Sequence, residues 1–339
     1  VLMQVVEDSS FQPASIATRL LNKALETEQV NHQQHHQVIP VVVTGYGRHH
    51  FMEQPVVGDN PNCHFEAVTE SGACARGAKE VSPTAGSVID IGGQDMKSIL
   101  LDVKGRVSRF EMNDRCAAGT GQFIENIAQR LGLTMMNTTE GLLPFDEAAQ
   151  RGRDGVVTLT SMCAVFAESE VVGLVNNGTD RSDIARAVLH SVARKVSALH
   201  QRVTASRVDT AIDSRTTLFV GGCSKISSLR EVLEKEIGDK VLVPNDPQLV
   251  VALGAALIAL NAMVPYAGIS QCSLSLSHCL FFLLHRNKHN NSTWTFRPQS
   301  LTKELRRLLP RILRLNNFAI LLMGILTNCA RWRKLSVNH

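Results

Sequence analysis

The chain has 339 residues, enough for two domains of the usual size of roughly 100–200 residues each. A hydrophobic fraction of 44% and a charged fraction of 19% exclude a disordered polymer and allow a full core. The net charge of +4 gives no reason to expect a nucleic-acid partner, because much of the positive excess lies after Arg286, at Arg306, Arg307, Arg311, Arg314, Arg331, Arg333 and Lys334.

The chain opens VLMQVVEDSS without an initiating Met and reads as a fragment. Ile16, Leu20, Leu21, Ala24 and Leu25 recur at helical spacing and predict an amphipathic helix over residues 16–30. Next come His32, His35 and His36, with His49 beyond. They read as a solvated loop and not a metal site, since no carboxylate or cysteine stands nearby at ligand spacing. VIPVVVT, residues 38–44, is the continuous apolar run of a buried parallel strand. It runs into GYGR, at the strand end where open α/β sheets gather ligands. Small residues on one face of residues 65–81 predict a helix packed close to a neighbour.

Residues 87–101 predict two strands around Gly92, Gly93, Gln94 and Asp95. The glycines let the backbone approach an anion, and Asp90 and Asp95 could hold a cation or its waters. A Gly-Gly turn is also common in plain hairpins, so these residues alone leave both readings open.

Eight cysteines occur without CxxC spacing, and no secretory signal reads at the start. A disulfide scaffold is therefore not expected, and a cytoplasmic location is. Cys116, in NDRCAAGTG, precedes a predicted helix over residues 122–131, where the positive end of the helix dipole favours a thiolate. The pattern recurs at Cys163, which follows the strand-like VVTLT and precedes a second amphipathic helix. Two thiols, each at a helix start, could meet at one point; equally, each could be a buried core residue.

A long helix is predicted over residues 184–203, with Ser182 and Asp183 as start signals. TLFVGG, residues 217–222, predicts a buried strand ending in Gly221 and Gly222, followed by a helix through residues 229–237. That geometry suits a nucleotide lying over a helix N-terminus. Residues 240–243 predict a strand, and residues 247–260 a small-residue helix suited to tight packing. Beyond Val264 two apolar runs flank a basic, Asn-rich stretch. Both fall short of the roughly 20 residues that span a bilayer, so no membrane span is expected.

Together VTGYGR, VIDIGGQD, MNDRCAAGTGQF, SMCAVFAESEVV, FVGGCSKISSLREVLE and PQLVVALGAALIA resemble, in order, the activase family of 2-hydroxyacyl-CoA dehydratases and benzoyl-CoA reductases. The resemblance implies an α/β, two-lobed actin/sugar-kinase-like (ribonuclease H-like) ATPase fold. The first lobe would be residues 1–86, completed by helix 247–262, and the second residues 87–246. Residues 265–339 would be an extension without regular structure and without a family counterpart.

The resemblance further implies ATP and Mg2+ as cofactors, with Asp90, Gly92, Gly93, Gln94, Gly221, Gly222 and Gln248 as nucleotide-binding residues and Asp95 and Gln94 as catalytic ones. It implies one 4Fe-4S cluster per homodimer, held by Cys116 and Cys163 of each chain. The partners implied are a ferredoxin or flavodoxin as electron donor and a dehydratase or reductase component as acceptor. The family's first glycine- and Ser/Thr-rich phosphate loop has no counterpart before Ser9. Cys74 and Cys223 read as packing residues. The alternatives are a small-molecule kinase of the same fold and an inactive fragment.

Overall fold

The computed structural model describes residues 3–5, 13–29, 39–61, 63–113, 120–135, 143–159, 163–205, 216–263, 278–283 and 319–325. In chain order the elements are β1 (Met3–Val5), α1 (Pro13–Gln29), β2 (Ile39–Gly45), α2 (Arg48–Met52), α3 (Pro55–Gly58) and β3 (Cys63–Ala67). Next come α4 (Glu70–Val81), β4 (Ser87–Ile91), β5 (Met96–Leu101), β6 (Val107–Asn113), α5 (Gly121–Arg130), α6 (Phe145–Arg151), α7 (Ala164–Asn176) and α8 (Arg181–Thr204). They are followed by β7 (Thr216–Val220), a 3₁₀ turn (Gly222–Lys225), α9 (Ser227–Ile237), β8 (Lys240–Leu242), α10 (Val250–Met263), β9 (His278–Leu283) and β10 (Ala319–Ile325). The chain divides into two compact units, one drawn from residues 1–70 and 255–339 and the other from 71–254.

The first unit holds a five-stranded sheet of order β1-β9-β10-β2-β3, parallel throughout. β2 is buried from Pro40 to Gly45, which is why its sequence is apolar without alternation. α1 starts at Pro13, whose missing N–H costs nothing at a first helical position, and packs Ala17, Leu20 and Leu21 with Val41, Val43 and Phe51. Phe65–Ala67 belong to β3 and not to the helix that follows. Partial burial alternates with exposure along β3, as on a strand with one open face. The sequence reading placed no regular structure after residue 265, whereas β9 and β10 extend this sheet.

The second unit holds a mixed sheet of order β6-β5-β4-β7-β8. β4, β5 and β6 form an antiparallel meander, and β7 and β8 continue it in parallel on the other side of β4. This is the strand order of ribonuclease H-like folds. One face carries Ile89, Ile91, Met96 and Phe219 into a core shared with α5, α6, α8 and α9. α4 belongs with this unit and not with the first. It crosses the start of α10 so closely that a side-chain carbon at Gly77 would fall on the Val250 carbonyl, and one at Gly254 on the Ala73 carbonyl. Residues 156–159, strand-like in sequence, form no strand. Arg194 of α8 donates to the Leu159 carbonyl at 3.1 Å, and the preceding Arg153 and Asp154 pair with Asp183 and Arg186 of the same helix.

Candidate nucleotide and thiolate site

All the described candidate residues lie in the second unit. β4 is buried along its whole length and ends at a four-residue turn, Gly92 to Asp95, closed by the Gly92 N–H donating to the Asp95 carbonyl at 3.0 Å. Gln94 is exposed at the tip of the turn, while Gly93 and Asp95 are half-buried. The Asp95 carboxylate turns back over Gly92, where an added Cβ would sit 3.4 Å from its Oδ1. Sequence reasoning did not single out Lys97. Its Nζ, on a side chain only 2% exposed, donates to both Asp95 oxygens at 2.8 and 2.7 Å. Period-two alternation was the available signal, since a Lys two residues beyond an Asp at a strand start shares its face. With Lys97 buried and Asp95 half-buried, loss of either partner should destabilise the turn.

β7 lies parallel to β4 and delivers Gly221 and Gly222 beside the turn. Gly221 has φ 84° and ψ 177°, a backbone region essentially reserved for glycine. An added Cβ there would strike the Ile91 carbonyl and Asp90 Oδ1, so only a bare backbone lets the two loops meet. The Gly221 N–H donates to the Pro247 carbonyl at 3.1 Å. The next residue, Gln248, is buried, with its Nε2 3.5 Å from where a Cβ on Gly222 would stand. The fold thus gathers Asp90, Gly92, Gly93, Asp95, Gly221, Gly222 and Gln248. The set offers close backbone approach for a phosphate or sugar and carboxylates for a cation or its waters, and it fits a nucleotide.

The turn is also keyed to the helix behind it. The first two amides of α5, Gly121 and Gln122, donate to the carbonyls of Gly92 and Gly93 at 2.8 and 3.0 Å. A helix start leaves its first four N–H groups without intrahelical partners, and here the glycine turn satisfies two of them. Cys223 fills the space between, its Sγ 3.9 Å from the Gly92 carbonyl. Burial, with a smaller contribution from the Asp90 carboxylate, pushes its thiol up to about 12, so it stays a protonated packing residue. Cys74 is fully buried. Burial raises Cys63, in the first unit, to about 11.

Of Cys63, Cys74, Cys163 and Cys223, Cys163 is the exposed one, and it forms the N-cap of α7. Beside it Val165 and Phe166 are 67% and 68% exposed, and α7 buries only Ala167 and Val171. α7 is tied to α5 by Arg130, whose Nη2 donates to Glu168 at 2.8 Å. An exposed thiol at the electropositive end of a helix fits a ligand to an anionic cluster. Cys116, five residues before α5, lies outside the described residues. Among those described, no group of three or more His, Cys, Asp or Glu converges, and no helix is long and apolar enough to cross a membrane.

The sheet order and the paired glycine turns are those of ATPases with the actin and sugar-kinase fold. Residues 6–259 match the BadF/BadG/BcrA/BcrD ATPase family, and the chain belongs to it. It is 35% identical over 221 residues to the 2-hydroxyisocaproyl-CoA dehydratase activator of Clostridioides difficile, covering 65% of this chain and 73% of that protein. It is 35% identical over 244 residues to the activator of lactoyl-CoA dehydratase of Anaerotignum propionicum, covering 72% and 83%. Its structure resembles that of the Clostridium difficile 2-hydroxyisocaproyl-CoA dehydratase activator with bound ADPNP, with TM-score 0.56, 32% identity and coverage of 68% and 76%. It also resembles component A of the Acidaminococcus fermentans (R)-2-hydroxyglutaryl-CoA dehydratase, with TM-score 0.54, 33% identity and coverage of 65% and 75%.

Proposed function

We propose that this protein is an ATP-dependent activator that delivers a low-potential electron to a 2-hydroxyacyl-CoA dehydratase or a related acyl-CoA reductase. The reading rests on one observation above others. The glycine turn and α5, the helix that follows Cys116 in sequence, are joined through two backbone hydrogen bonds, which in this reading form the route by which a change at the phosphate end reaches the thiols. The activators named above support it by similarity.

In this reading Gly92, Gly93, Gly221, Gly222 and Gln248 hold the nucleotide, Asp90 holds its magnesium ion, and Asp95 and Gln94 act at the phosphoryl end. Cys116 and Cys163, with the same pair from a second copy, supply the four thiolates a 4Fe-4S cluster requires. That cluster would take one electron from a reduced ferredoxin or flavodoxin and pass it on. The exposed apolar side chains of Val165 and Phe166 beside Cys163 suit a surface covered by the second copy. The location is the cytoplasm, where such thiols stay reduced.

The test is anaerobic reconstitution with iron and sulfide, read by absorption, iron content and molecular mass. The reading expects a brown dimer with four irons, and loss of colour in Cys116→Ala and Cys163→Ala. A colourless, iron-free protein would overturn the cluster assignment. Phosphorylation of a small molecule without any partner enzyme would instead favour a kinase.

A further inference from the structure

Lys97, on β5 just beyond the glycine turn, is a buried cation. Its Nζ holds both Asp95 oxygens, at 2.7 and 2.8 Å, and the strand register places Lys97 directly opposite Asp90. Directly opposed residues share a sheet face with Cβ atoms about 4.5–5.5 Å apart. Lys97 and Asp90 are 2% and 3% exposed. A buried carboxylate, a half-buried one and a buried ammonium therefore lie close together, beside the backbone that meets Gly221. Left to themselves, the carboxylates would repel a nucleoside polyphosphate, and at low hydration that repulsion is weakly screened.

We propose that Lys97 is a positioning residue of the phosphate turn. It is an internal cation that holds the Asp95 carboxylate in place and offsets the charge of the acid pair, so that an anionic nucleotide can bind before any divalent cation arrives. The inference rests on the nucleotide reading of the turn. Lys97 provides the turn with affinity that needs no metal, and a bound magnesium ion supplies the same neutralisation by another route. The formal charge of the three groups is −1 in the native chain, −2 in Lys97→Met, 0 in Asp95→Asn, and −1 again in the double variant. Affinity without metal should follow that order.

The experiment is calorimetric titration of ADP and ATP into the full chain, with EDTA or with magnesium. In EDTA, Lys97→Met should bind ADP at least tenfold more weakly than the native protein, and with magnesium the gap should shrink to a few-fold. Lys97→Arg, which keeps the charge, should restore most of the loss. Asp95→Asn should bind most tightly in EDTA, with Lys97→Met/Asp95→Asn weaker than it and near the native protein. Equal binding by Lys97→Met and the native protein in EDTA overturns the inference, as does a loss that is the same with and without metal. If Lys97→Met does not fold, equal affinity of Asp95→Asn and the double variant overturns it. Failure of the native protein to bind nucleotide under either condition is a distinct result, and overturns the nucleotide reading together with this inference.

Discussion

Gly92 and Gly121 are joined by a backbone hydrogen bond of 2.8 Å, with the amide that opens α5 donating to a carbonyl of the glycine turn. The neighbouring Gln122 amide repeats the contact with Gly93 at 3.0 Å. A displacement of the turn either breaks both bonds, leaving half-buried backbone groups without these partners, or carries α5 with it. The second course keeps both bonds. The turn and α5 are thus a mechanical unit.

This contact leaves little room for a side chain at Gly121. A Cβ at Gly121 would stand 3.1 Å from both Gly92 O and Cys223 Sγ. Gly121→Val should destabilise the protein by about 1–3 kcal/mol, the usual range for overpacking. It should also abolish any effect of nucleotide on the alkylation rate of Cys116 in metal-free protein. Urea unfolding and mass-spectrometric labelling with and without an ATP analogue measure the two effects. A nucleotide response as large as that of the native protein would show that the turn and α5 are not coupled here.

The two glycines at the end of β7 are unequal. Gly221 occupies a glycine-only backbone region and abuts Ile91 O, whereas a Cβ at Gly222 would meet Gln248 Nε2 at an ordinary 3.5 Å. Gly221→Ala should therefore lower nucleotide affinity more than tenfold, and Gly222→Ala by no more than a few-fold. Calorimetric titration decides, and equal effects would mean that the backbone conformation is not what matters.

Strands buried on both faces were the most legible part of the sequence: β2 reads as a continuous apolar run, β7 as Leu218–Val220 ahead of its glycines, and β4 as apolar residues around a single Asp90. β6 was not legible, because it lies at the sheet edge with Phe110 and Met112 exposed. α6 has seven residues, too few for a periodic signal. VVTLT misled for the opposite reason: it has strand composition, yet residues 156–159 pair with no strand among the described residues, and Arg194 of α8 donates to the Leu159 carbonyl instead. At the site, both Gly-Gly pairs were visible as motifs, yet their meeting was not. Gly92 and Cys223 are 131 residues apart, and only the parallel pairing of β4 with β7 brings them together. The Lys97–Asp95 pair was legible in principle, because it needs only strand alternation.

Local propensity and packing make opposite forecasts at Gly254. Ala is the better helix former by about 1 kcal/mol, so an exposed helix would gain from the exchange. Here the new methyl would overlap the Ala73 carbonyl of α4, which is backbone and cannot swing away. Packing should win, with Gly254→Ala less stable than the native chain by about 1–3 kcal/mol in urea unfolding. A stabilised variant would mean that α4 and α10 cross less tightly than described.

Asp146 of α6 caps α9 from outside that helix. Its carboxylate accepts from the amides of Ser227 and Ser228, each at 3.0 Å, and from their hydroxyls at 2.7 and 2.6 Å. Burial by itself would raise the carboxyl, but the hydrogen bonds from Ser228 and Ser227 outweigh it and hold the group below its ordinary value of 3.8. The unfolded chain therefore takes up this proton more readily than the folded one. The stability the carboxylate contributes is complete above the ordinary value and is lost as pH falls through the folded-state value. Asp146→Asn keeps the shape without the charge and should cost about 1 kcal/mol at neutral pH, the usual worth of a cap. The difference should narrow as pH drops below about 4, where Asp146 of the unfolded chain begins to take up its proton ahead of the folded one. Urea midpoints of both proteins between neutral pH and pH of about 3 measure it. A difference that stays constant over that range would mean that shape, and not charge, secures the start of α9.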